Sequence, residues 1–265
     1  MDLIETQNRN RSDTIRHPWE LARFEIVYSL IKECLDKTLT DNLLIVDIGC
    51  GDLFFLETLS EREPKATLIG IDPALTTEFV CEYNKKDKKG GLQVFQNDNQ
   101  ISSDLGPCSI VLLLDVLEHI HDETSFLKML ASKPYITNET YFIIAVPAFQ
   151  SLFSSHDTFV KHYRRYSNST ISTLMTKSGF RVSRIGYFFF CLIFPRFVQV
   201  IFEKFLNGEK TRTKGTGLTK WEGSKIVSRI LSLILVTEFK FTNVLGKYGL
   251  KIVGLSNYII CKKYV

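Results

Sequence analysis

Residues 43–56 read LLIVDIGCGDLFFL. Leu43 to Ile48 form an apolar run broken only by Asp47, a length that suits a buried strand. Gly49-Cys50-Gly51 then turns the chain, and a helix-compatible stretch follows. Glycine reaches backbone conformations closed to other residues and lets a ligand approach bare backbone. A strand ending in Asp-x-Gly-x-Gly and opening a helix is therefore built for a charged cofactor.

The spacing narrows the cofactor. A dinucleotide needs G-x-G-x-x-G, with its diphosphate on the helix N-terminus. Here Phe54 stands at the third glycine position, so that fingerprint fails. A cofactor that carries an amino acid in place of the diphosphate needs less. The Gly-x-Gly backbone, Asp47 on strand 1 and Asp72 on strand 2 for a ribose diol would suffice, and one βαβ unit separates the two acids.

Outward from this run, short strands alternate with helices. Strands are predicted at Leu43–Ile48, Thr67–Ile71, Leu92–Gln96, Ser109–Leu114 and Tyr141–Val146, and later at Arg181–Phe188 and Asn257–Cys261. Helices are predicted from Pro18, at Leu53–Ser60, after Pro73, and at Glu123–Ala131, Ser169–Lys177 and residues 224–239. The early strands are apolar on both faces, which predicts a doubly wound α/β fold on a mostly parallel sheet. Ligands of such sheets bind at the carboxyl ends of the strands, where Asp47, Asp72, Asp98 and Asp115 stand.

An apolar fraction of 45% over 265 residues supports a real core and argues against wholesale disorder. The six cysteines contain no CxxC pair, so disulfide and metal frameworks are not expected and a reducing, cytoplasmic setting is. The polar first seventeen residues lack the apolar core of a signal peptide, and no run is long and apolar enough to span a membrane. Charge is unevenly placed. Residues 1–150 hold 14 Lys/Arg against 24 Asp/Glu, whereas residues 151–265 hold 19 against 5. The basic half either faces an anionic partner or is a solvated surface.

VDIGCGD, GIDP, QND and IVLLLDVLEHI together resemble class I S-adenosylmethionine-dependent methyltransferases. HPWELAR near the start and VPAFQSLFSSHDTFVKHYRRYS after strand 5 resemble a bacterial subgroup that acts on small molecules or glycans. The resemblance implies a Rossmann-like seven-stranded sheet whose last strand is antiparallel, with a helical insertion before it. It implies one domain over residues 1–265: a helical lid at 1–40, the core sheet at 41–186, an insertion at 187–250 and the final strand at 251–265. It implies S-adenosylmethionine as cofactor. Gly49, Cys50 and Gly51 would take its methionine part, and Asp47 would fix the loop or the amino group. Asp72, with Pro73, would hold the ribose, Asn97 and Asp98 the adenine, and Leu114 and Asp115 the methionine side. Trp19 and Arg23 would close over the pocket. Many relatives carry a third glycine where this chain has Leu53, which either crowds the loop or packs the start of the helix.

Methyl transfer is an in-line displacement that needs alignment and sometimes a base. Catalytic candidates are His156, Asp157, His162, Tyr163 and Arg164, just past strand 5 where substrate should lie. His119, His121, Arg165 and Tyr166 stand near them in the reading. His121-Asp122 also reads as a helix cap, Asp157 as an orienter of His156 or a turn cap, and Arg164-Arg165 as a solvated pair. No metal is expected to take part.

The insertion combines Phe188, Phe189, Phe190, Phe194, Phe197, Phe202 and Phe205 with Arg196, Lys204, Arg212, Lys214 and Lys220. It reads as a cap that touches an anionic membrane or holds an apolar substrate tail, or else as sheet packing or a homodimer face. The expected activity is methylation of an oxygen, before a nitrogen, of a small molecule or a lipid-linked or phosphorylated glycan intermediate. A non-catalytic module of the same fold is the alternative. A nucleic-acid enzyme ranks third, because Asp115-Val116-Leu117-Glu118 replaces the Asn/Asp-Pro-Pro-aromatic motif of base amino-group methylation, and no nucleic acid is expected as partner.

Overall fold

The computed structural model describes residues 15–36, 42–86, 91–101, 106–206, 221 and 223–264. The basic stretch with Arg212, Lys214 and Lys220 lies outside the described residues, as do the first fourteen residues and part of the 85–91 loop.

The strands are β1 Leu44–Ile48, β2 Thr67–Ile71, β3 Leu92–Phe95, β4 Ile110–Leu114, β5 Tyr141–Pro147, β6 Phe180–Phe188 and β7 Ser256–Lys263. They form one sheet in the order β3-β2-β1-β4-β5-β7-β6. Strands β1 to β5 pair in parallel, and β7 runs antiparallel between β5 and β6. The order reverses between β1 and β4, which opens a crevice at their carboxyl ends.

The described helices are α1 Pro18–Leu35, α2 Phe54–Arg62, α3 Thr77–Lys85, α4 Glu123–Ala131, α5 Ser155–Phe159, α6 Asn168–Lys177, α7 Ile193–Leu206 and α8 Lys225–Lys247. Strand alternation divides the core. Ile45, Leu112 and Ile143 face α1, α2 and α8, while Leu44, Val46, Val111 and Ile144 face α4 and α6. Helix α1 is more than a cover, since Ile26, Val27, Leu30 and Ile31 are buried in the first of these layers. Its start is set by His17 in a capping box with Glu20, followed by Pro18 at the first helical position.

Leu53 resolves the question of the missing glycine. It keeps the left-handed conformation of a glycine, with φ 67° and ψ 0°, while its side chain is fully buried among the α1 and α2 residues. A left-handed residue with a Cβ costs about 1–2 kcal/mol, whereas losing a buried leucine costs about 2–5 kcal/mol. Leu53→Gly is therefore expected to lower stability by about 1–3 kcal/mol in urea unfolding. A more stable variant would show that backbone strain outweighs packing there.

Candidate functional site

The loop after β1 is held by its neighbours. Gly49 N–H and Cys50 N–H both donate to Ile71 O, at 2.7 and 3.3 Å. Gly49 has φ +76°, and a Cβ there would sit 2.6 Å from Val116 Cγ2. Gly70 leaves room for the buried Cys50 side chain and Leu56. Arg16 joins Asp52 of the loop at 2.5 Å and stacks on Phe54. Burial alone would raise the Asp52 carboxyl, but the neighbouring Arg16 charge brings it below its ordinary value.

The strand-end acids differ in their environments. Asp47 is buried, and its Oδ1 has no hydrogen-bond partner among the described residues. Burial pushes its pKa up to about 7, with Asp72 adding repulsion and Arg23 opposing both. Asp72 accepts from Gly51 N–H at 3.0 Å and Ala74 N–H at 2.9 Å, so it ties the two loops together, and Pro73 beside it is exposed. Asp98 pairs with Lys133 at 2.6 Å and Asn97 is exposed. Leu114 is buried, and Asp115, at φ 58°, forms an ion pair with Arg23 of α1. Trp19 Nε1 is buried without a hydrogen-bond partner among the described residues. A buried, unpaired carboxylate oxygen beside a glycine turn fits the cationic amino group of an amino-acid-bearing cofactor.

The segment past β5 is organised by Asp157. This fully buried side chain takes Arg165 Nε at 2.8 Å and His162 Nδ1 at 3.0 Å on one oxygen. Arg196 Nη2 at 2.7 Å and Ser154 N–H at 2.9 Å meet the other. Burial works to raise its pKa, but the His162 hydrogen bond and the two guanidinium groups hold it well below the usual carboxylate range. Asp157 also closes the capping box of α5, as one of the two expected roles had it, whereas the ring it holds is His162 and not the expected His156. His156 has its pKa lowered by burial and then by Arg196.

Two candidates point elsewhere. Arg164 pairs with Glu123 and donates to His121 O, and the exposed Tyr163 packs its ring edge against His121. Asp122 caps α4 through Ser125 N–H. Glu118, His119 and His162 converge instead, their donor atoms within 4.8 Å of one another. Burial, then Asp115, pushes the Glu118 carboxyl far above its ordinary value.

His156, Arg165 and Arg196 border a cavity of about 350 Å³ that is closed by His17, Trp19, Phe189, Leu192 and Leu255. Arg196 joins it from α7, distant in sequence. Its only advance signal was a charge inside the apolar run FFFCLIFPRFVQV, where an unpaired guanidinium would be costly. A larger depression of about 530 Å³ lies between β6 and the end of α8, away from the glycine loop, and its Arg184 is already paired with Glu33 and Asn243.

Comparison with known proteins agrees with this geometry. The family model described as a methyltransferase domain matches residues 19–185. No curated protein matches the sequence. The plantazolicin methyltransferase BpumL, solved with a monoazolic desmethylPZN analog and SAH, is 17% identical with a TM-score of 0.55, covering 99% of this chain and 89% of that one. Coclaurine N-methyltransferase bound to N-methylheliamine and SAH is 12% identical with a TM-score of 0.50, covering 89% and 70%. These likenesses carry the fold, a Rossmann-like sheet with an antiparallel β7, and the family match carries the rest: the chain belongs to the methyltransferase-domain family.

Proposed function

We propose that this methyltransferase acts on an oxygen, in preference to a nitrogen, of a small molecule or of a lipid-linked or phosphorylated glycan intermediate. The observation that carries the reading is the cavity where His156 meets Arg165 and Arg196. Two guanidinium groups against the single Asp157 carboxylate leave one net positive charge, which favours an anionic acceptor over a cationic amine. His156 is neutral at physiological pH because burial and Arg196 disfavour its charged form, so it is available to take a proton from a hydroxyl or acid. Asp157 positions His162, Arg165 and Arg196 and stays out of the chemistry.

On the donor side, Asp47 receives the cofactor's amino group, with Gly49, Cys50 and Gly51 bringing bare backbone to its carboxylate. Asp72 keeps lone pairs for the ribose hydroxyls beyond its two backbone bonds, and Pro73 shapes that turn. Asn97 and Asp98 take the adenine, Leu114 and Asp115 border the methionine side, and Trp19 and Arg23 cover it from α1. Bound there, S-adenosylmethionine supplies an electrophilic methyl carbon.

The helices of the insertion support peripheral membrane contact. Helix α8 packs on α1 and buries Ser228, Ser232, Leu235 and Phe239. Its apolar Ile226, Ile230, Leu233, Ile234, Phe241 and Val244 point outward, with Ile226 70% exposed. At about 100° per residue, Lys225, Arg229, Lys240 and Lys247 share one stripe about 60° wide beside that apolar face. Helix α7 is inverted likewise: Arg196 and Glu203 bond inward to Asp157 and Ser155, while Phe194 and Phe205 are 73% and 84% exposed. An apolar stripe flanked by basic residues suits an anionic bilayer surface. Among the described residues, no helix is long and apolar enough to cross a membrane. A homodimer covering the same face is the competing use.

Three outcomes test these assignments. Asp47 binds a cationic group best when ionised, and its pKa of about 7 is raised above the ordinary carboxyl value. Its proton is therefore retained in the ligand-free fold and stability falls as pH rises from about 4 to 7. Affinity for S-adenosylhomocysteine should then rise about tenfold from pH 6 to pH 8, with proton uptake or release followed by calorimetry. A flat profile, or one shared with Asp47→Asn, removes the assignment. His156→Gln is expected to cost about 10²–10⁴ in kcat for transfer of labelled methyl to lipid-linked or soluble glycan fractions, with S-adenosylhomocysteine affinity unchanged. An unchanged rate refutes the base. The full chain should float with phosphatidylglycerol vesicles at low salt and remain behind with phosphatidylcholine. Arg229→Glu with Lys240→Glu should abolish flotation, and a concentration-dependent dimer without flotation would overturn the membrane reading.

A further inference from the structure

We propose that Glu118, His119 and His162 form a binding site for a divalent transition metal ion, zinc by the nature of its donors. Three side chains bring one carboxylate oxygen and two imidazole nitrogens within 4.8 Å of one another. Borderline imidazole and carboxylate ligands of this kind suit zinc and its first-row neighbours.

Glu118 supplies the independent observation. It has no exposed surface, and neither carboxylate oxygen has a hydrogen-bond partner among the described residues. A buried carboxylate without partners is costly, and natural folds pair such groups or give them a metal. His162 Nε2 stands 3.9 Å from Glu118 Oε1, too long for a hydrogen bond. Two donors of one tetrahedral zinc ion lie about 3.4 Å apart, so the His162–Glu118 gap needs only a small side-chain movement to close on a shared ion.

His162 is prepared for this role. Its Nδ1 lies 3.0 Å from Asp157 Oδ1, and Asp157 is itself locked by Arg165, Arg196 and Ser154. A carboxylate on Nδ1 keeps the hydrogen there and leaves the Nε2 lone pair for the metal, the usual support of a metal-bound histidine. The ring of His119 meets that of His162 at a centroid distance of 4.6 Å, from the turn that follows β4. Asp157 thus acts on the site as a positioning residue.

The location gives the ion a use. The charges of Asp115 and Arg23, on the donor side, and of Arg165, which borders the acceptor cavity, all act on Glu118. Three protein ligands leave a further position open for an acceptor oxygen, which the ion would orient and render more acidic. This last step rests on the oxygen-acceptor reading above, whereas the site itself does not.

Chelator-stripped full-length protein titrated with zinc chloride, and separately with cobalt chloride, tests the site, with S-adenosylhomocysteine binding as the control for folding. One ion per chain is expected. Glu118→Gln, His119→Ala and His162→Ala should each weaken binding at least about a hundredfold, and Asp157→Asn by about 10–100-fold. The cobalt protein should show the visible absorption of a low-coordinate nitrogen and oxygen site, lost in His162→Ala. If Glu118→Gln does not fold, the half-buried His119→Ala decides. No binding at micromolar zinc, or unchanged affinity in both histidine variants, overturns the site. Metal bound as expected, with no transfer to any oxygen acceptor, would leave the site standing and refute the acceptor reading.

Discussion

One buried carboxylate organises everything past β5. An isolated ionised Asp157 would be prohibitive in an apolar interior. It stays charged because two guanidinium groups, an imidazole and a backbone N–H converge on it from α5, the following turn and α7. Removing any partner from such a cluster costs about 3–5 kcal/mol, since the remaining charges are left uncompensated. The geometry is therefore all or none: α7 cannot leave Asp157 without unseating the residues that border the cavity.

The donor side rests on a different economy. There the sheet fixes the backbone first, through the parallel ladders of β1 with β2 and β4, and the loop follows. Gly49 and Cys50 hang from Ile71 O, Gly51 from Asp72, and Leu53 accepts a glycine's conformation because its side chain is held in the core. Asp47 Oδ1 is left without a hydrogen-bond partner among the described residues, on a strand whose following loop is otherwise tied down.

Much of the fold was legible because it is local. Short strands apolar on both faces announced a covered parallel sheet, and Asp-x-Gly-x-Gly announced the turn that ends β1. The helix predicted at 224–239 was real but runs on to Lys247, because the apolar outer stripe continues past the point where the inner one ends. What could not be read was direction. Sequence shows that α7 and α8 are amphipathic, yet an apolar stripe is ordinarily assigned to the core, and here it is turned outward. Nor could spacing show that Arg196 and Asp157 meet, or that Arg164 turns away to Glu123 while its neighbour Arg165 turns in. Glu118 stood in plain view beside His119, but nothing in a linear chain distinguishes an acid that will be buried from one that will be wet.

The seam between α8 and α1 has a mechanical consequence. The two helices are in contact, and Ser228, Ser232, Leu235 and Phe239 are the buried residues of α8. Helix α1 in turn holds Asp115 through Arg23 and stacks on the glycine loop through its N-terminal neighbour Arg16. The outermost helix and the crevice at the ends of β1 and β4 are thus joined through a single helix. Helix α8 therefore bears on Arg23 and Asp115 through one intervening helix, α1.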